Sequence, residues 1–65
     1  MGLDVRPYPG FESFTLTVPT LAWARGTALP LIDDGCGFHM EPYPDDHWRF
    51  TVDSEHEEAL RRHAS

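Results

Sequence analysis

With 65 residues the chain makes one domain, close to the lower size limit for a core that holds itself together. The single Cys36 excludes an internal disulfide and no zinc-finger spacing is present, so neither common staple of a small fold is available. Eleven acidic residues against five arginines and no lysine give a net charge of −6, which disfavours nucleic acid, whose phosphates call for clustered positive charge.

The opening stretch Met1-Gly2-Leu3-Asp4-Val5-Arg6 lacks a basic segment followed by an apolar core, so it does not read as a signal peptide. Arg6 also stands where the myristoylation pattern requires Ser or Thr. No run of about 18 apolar residues occurs, so no membrane association is expected and a cytoplasmic location is. Residues 1–10 include Arg6-Pro7-Tyr8-Pro9-Gly10, too rich in proline for regular structure; they read as an extended lead-in laid across the core through Tyr8.

Phe11 to Val18 reads as a strand with Phe14, Leu16 and Val18 on one face and Ser13, Thr15 and Thr17 on the other, ended by Pro19. Thr20 then caps a single helical turn over Leu21-Ala22-Trp23-Ala24-Arg25, with Gly26 as its stop; a bulged edge strand is the alternative. Leu29-Pro30-Leu31-Ile32 predicts a brief strand closed by the turn Asp33-Asp34-Gly35.

From Phe38 to Val52 the pattern is a β-hairpin. Apolar and polar residues alternate along Phe38–Tyr43 and again along His47–Val52, around the turn Pro44-Asp45-Asp46. A two-residue loop would set Glu41 opposite Phe50 and mix the faces. A three-residue loop pairs Tyr43 with His47, Pro42 with Trp48, Glu41 with Arg49, Met40 with Phe50, His39 with Thr51 and Phe38 with Val52. This second register gathers Phe38, Met40, Pro42, Trp48, Phe50 and Val52 on one face. Pro42, having no N–H, makes the first strand an edge near that point. Ser54 and Glu57 then form a capping-box pattern, with Glu57–Arg61 and Glu58–Arg62 spaced for i,i+4 pairs. The inward stripe of this helix is His56, Ala59, Leu60, His63 and Ala64. The expected fold is α+β: a small antiparallel sheet of three to four strands, as a meander with the 38–52 hairpin, packed by the C-terminal helix.

Several groups invite a chemical reading. Cys36, His39, Asp45, Asp46, His47 and His56 are zinc-type ligands. The hairpin separates them: Cys36 and His39 point to opposite faces of a strand, and His39 and His47 are roughly 13 Å apart along it. His56 and His63 stand about 10.5 Å apart along a helix. No metal and no cofactor is therefore expected. If the two helix histidines are buried neutral, stability falls on acidification to about pH 5. Cys36 lies between Asp34-Gly35 and Gly37, and the nearby acids raise a thiol pKa and work against a nucleophile. The pairs Asp33-Asp34 and Asp45-Asp46 fall where turns favour Asp, so no catalytic residue is assigned.

The expected function is a small acidic non-enzymatic protein-binding domain, such as an inhibitor, antagonist or accessory subunit of a bacterial or viral system. Its partner is another protein with a basic surface, reached through Asp33, Asp34, Asp45 and Asp46 with Tyr43 and Trp23 as aromatic anchors. Homodimerisation is a natural route to the stability that a 65-residue core lacks. The order strand to Val18-Pro19, short helix, Ile32-Asp33-Asp34-Gly35, hairpin resembles the swapped-hairpin antitoxin and transition-state regulator family over about half of the chain. That resemblance implies a homodimeric DNA-binding regulator or antitoxin, although the basic residues such proteins turn toward phosphates are missing. A histidine-based metal or small-molecule sensor is the third reading.

Overall fold

A computed structural model describes residues 3–64; Met1, Gly2 and Ser65, and with them the start of the expected lead-in, lie outside the described residues. Four strands and two helices follow in the order β1 (Val5–Pro7), β2 (Ser13–Val18), α1 (Leu21–Asp33), β3 (His39–Tyr43), β4 (His47–Asp53) and α2 (Glu57–Arg62), with one 3-10 turn, Ser54–His56, leading into α2. The strands form one antiparallel sheet in the order β1-β2-β4-β3. The fold is α+β.

The hairpin adopts the three-residue register, with Glu41 opposite Arg49 and Met40 opposite Phe50; regular pairing starts at His39, one residue after Phe38. A plain meander would set β3 beside β2. Instead β4 lies between them, Leu16 opposite Phe50 and Val18 opposite Trp48. Proline explains the order. Pro42 cannot donate to two neighbours, so β3 takes an edge and the fully bonding β4 takes the centre. The other edge carries Pro7, so both open edges are blunted against further strand addition.

The proline-rich lead-in is more regular than its composition suggests. Val5, Arg6 and Pro7 pair with Leu16, Thr15 and Phe14. Tyr8 N–H donates to the Ser13 carbonyl at 2.9 Å, and Phe11 N–H to the Tyr8 carbonyl at 3.1 Å. A neighbouring strand supplied the acceptors that local sequence could not show.

α1 departs furthest from expectation. Thr20 does cap it, its hydroxyl accepting from Trp23 N–H at 3.1 Å. The helix nevertheless passes Gly26, contains Pro30, and replaces the expected strand over residues 29–32. Its buried side chains, Ala24, Thr27 and Leu31, recur at helical spacing. The Thr27 hydroxyl is satisfied by the Trp23 carbonyl at 3.1 Å. Gly35, at φ 72°, ends the helix as a left-handed C′ residue. Cys36 N–H reaches the Leu31 carbonyl at 2.9 Å and Gly35 N–H the Ile32 carbonyl at 3.0 Å, the paired bonds of a Schellman motif. The turn at Asp33-Asp34-Gly35 is thus a helix end, and Cys36 and Leu31 bury together beneath it. The segment Ile32-Asp33-Asp34-Gly35 that carried the regulator resemblance is accordingly not a loop between strands.

Pro30 leaves the Gly26 carbonyl without its helical donor. Pro30→Ala restores that bond and is expected to raise the unfolding free energy by about 2 kcal/mol, the helical gain less the freedom returned to the unfolded chain. Urea denaturation reads this directly; an unchanged or lower midpoint would mean that the proline does not strain α1.

Both helices cover the same side of the sheet. Their Ala24, Leu31 and Leu60, with Ala64 just beyond α2, close over Leu16, Val18, Phe50 and Val52. The capping box does not form, because Ser54 N–H is taken by the Glu12 carbonyl at 3.0 Å. Glu57 instead accepts from Arg61 Nε at 2.8 Å, the expected i,i+4 pair. Arg62 leaves Glu58 for Asp34. No helix among the described residues is long and apolar enough to cross a membrane.

Candidate functional site

Period-two alternation puts Arg6, Thr15, Thr17, Glu41, Tyr43, Arg49 and Thr51 on the face away from the helices. Arg49 is the hub of this face. Its Nε donates to Glu41 Oε1 at 2.7 Å and its Nη2 bonds the same oxygen. The guanidinium carbon also sits 5.2 Å from the Tyr8 ring centre and 5.1 Å from that of Tyr43. The Glu41 hydrogen bond, reinforced by its charge, pushes the Arg49 ionisation above its usual value. A hollow of about 370 Å³ lies here between Asp4, Arg6, Thr15, Thr17, Tyr43 and Arg49. Arg6 in turn lies 3.7 Å from Asp4. Among the described residues, each arginine on this face therefore has a carboxylate beside it.

A second, less polar cleft of about 710 Å³ opens between the start of α1 and the tip of the hairpin. Leu21, Pro42 and the half-buried Trp48 contribute apolar surface; Thr20, Tyr43, Asp45, Asp46 and His47 complete the lining. Asp45 and Asp46 both take positive φ, 64° and 63°. Both lie in the left-handed region, which Asn and Gly occupy more readily than other residues. His47 Nδ1–H donates to the Asp45 carbonyl at 2.9 Å and pins the tip.

The far end of the molecule is occupied differently. Asp34 Oδ2 accepts from His63 Nε2 at 2.7 Å and from Arg62 Nη1 at 3.2 Å, tying the end of α1 to the end of α2. The His63 hydrogen bond, with the charges of His63 and Arg62, holds the Asp34 carboxyl below its usual value. Of the six side chains expected to meet a partner, Tyr43, Asp45 and Asp46 line one cleft. Trp23 is exposed on α1 but two residues, about 200° of helix, from Leu21. Asp33 and Asp34 lie at the other end of α1, with Asp34 already engaged. Leu21 was not among the expected contacts, because its face could not be assigned before the helix was known to continue.

Burial, followed by the Asp34 charge, pushes the Cys36 thiol up. A thiolate is disfavoured there. Among the described residues, no three of His, Cys, Asp and Glu converge on one point.

The loss of stability expected by pH 5 was conditional on His56 and His63 being buried, and both are half-buried. His63 faces Asp34, and His56 Nε2 lies 3.5 Å from Glu55 Oε1. Asp34 acts in the acid range: its pKa is depressed in the folded state, so its contribution is complete above the unfolded value of about 3.9 and lost as pH falls through the folded one. Thermal midpoints of wild type and Asp34→Asn against pH check this. The gap between them should close below about pH 4, and a gap independent of pH would refute the assignment.

No protein-family model, curated protein or solved structure matches the chain.

Proposed function

We propose that the chain is a non-enzymatic protein-binding domain that acts by contact, as an inhibitor, antagonist or accessory subunit, in the cytoplasm. The observation that carries this reading is one exposed flank of α1. Leu21, Leu29 and Ile32 are 47%, 63% and 59% exposed, away from the stripe of Ala24, Thr27 and Leu31 that packs on the sheet. Leu21 and Ile32 are eleven residues apart, nearly three full turns, so they share a side of the helix. α1 joins two parallel strands, β2 and β3, and packs on β2 and β4; Met40 on β3 is also exposed. A chain of 65 residues that leaves three large aliphatic side chains of one helix in water has more apolar surface than its own core uses.

Affinity capture from lysate at low and moderate salt tests the proposal. A stoichiometric protein partner, lost on Leu29→Ser with Ile32→Ser, is expected. Absence of any such partner under both conditions would defeat it.

A further inference from the structure

We infer that the cleft between the hairpin tip and the start of α1 receives a segment of a partner protein that alternates apolar and cationic side chains. This deepens the protein-binding reading and rests on it. The floor supplies apolar surface from Leu21, Pro42 and Trp48, while the rim carries the carboxylates of Asp45 and Asp46. Neither carboxylate has an ion pair or a side-chain hydrogen bond among the described residues. No arginine lines the cleft, and the His47 Nδ1–H is committed to a backbone carbonyl. The complement of such a surface is a leucine-like side chain set on Trp48, flanked by arginine or lysine whose stem lies on Pro42 and whose head meets the two acids. Recognition runs through side chains, since Pro42 offers no N–H at the β3 edge for strand addition.

The backbone of the tip supplies a variant that tests the charge argument. Two successive non-glycine residues hold left-handed dihedrals, φ 64° and 63°, where Asn-Gly would relax the turn. Asp45→Asn with Asp46→Gly therefore separates fold from recognition: the double variant should melt higher than wild type and bind worse.

The test is an NMR titration of the 15N-labelled chain with a short capped peptide alternating leucine and arginine, against a control alternating leucine and glutamate. The basic peptide should shift the Trp48 indole and the amides of Leu21, Asp45 and Asp46. Its binding should weaken at least about tenfold at ~1 M salt, where charges are screened beyond about 3 Å. The D45N/D46G variant should bind at least about tenfold more weakly, one decade being about 1.4 kcal/mol. Glu58→Gln, which removes an exposed acid outside the cleft, should leave binding unchanged.

Three results would overturn the inference: equal binding of the acidic peptide, no shifts at the cleft with the basic one, or equal losses from E58Q and D45N/D46G. A stoichiometric partner captured from lysate together with any of these would retain the protein-binding reading and remove this site from it.

Discussion

Phe50→Ala is expected to lower the unfolding free energy by about 3–5 kcal/mol, the cost of truncating a buried phenylalanine. Domains of this size have roughly 3–10 kcal/mol in total, so much of the variant population should be unfolded at room temperature. Three features concentrate the effect at this position. Phe50 lies at the middle of β4, opposite Leu16 on β2 and Met40 on β3, so its ring bridges the centre of the sheet. It is 0% exposed and packs against Phe38 with ring centres 5.4 Å apart. The helices above it contribute only a few large side chains, chiefly Leu31 and Leu60, which cannot collapse far into the space left behind. Met40→Ala, directly across the pair but exposed, should cost less than about 1 kcal/mol. Urea unfolding followed by circular dichroism distinguishes the two, and a Phe50 loss no greater than that at Met40 would show that the core is centred elsewhere.

The contrast between these neighbours was legible in the sequence only in part. Alternation and a three-residue loop were enough for the hairpin register, and Pro42 was enough to send β3 to an edge, because both are local geometry. Whether Met40 would be covered depended on how far the helices reach across the sheet, which is a tertiary matter. The same division explains the other differences. Gly26 and Pro30 are strong local signals against a helix, and Gly35 between Asp34 and Cys36 looks like any turn glycine. What outweighs them is the burial of Ala24, Thr27 and Leu31 against the sheet, together with the two hydrogen bonds that Gly35 completes. Ser54 and Glu57 show the converse case. Their spacing fits a capping box, yet the Ser54 N–H is bonded across the fold to the Glu12 carbonyl, a partner no local pattern contains. At the candidate cleft, Tyr43, Asp45 and Asp46 came with the hairpin. Leu21 came only with the helix that places it opposite them.

Leu31→Ala and Leu29→Ala together test that helix. In a strand over residues 29–32, side chains two apart share a face, and both leucines would be buried alike. In α1 they diverge by about 200°, and they do: Leu31 is 0% exposed while Leu29 is 63% exposed. Leu31→Ala should therefore cost about 2–5 kcal/mol, because it empties a site enclosed by the sheet and removes the partner of Cys36 beneath the helix end. Leu29→Ala should stay within about 0.5 kcal/mol, since an exposed leucine gives way to a slightly better helix former. Similar losses at the two positions would contradict the continuation of α1 past Gly26. The small cost at Leu29 also has a functional meaning. A side chain that does so little for folding is free to serve the proposed partner, so Leu29→Ala should weaken capture of any protein that binds this flank while leaving the unfolding midpoint near that of wild type.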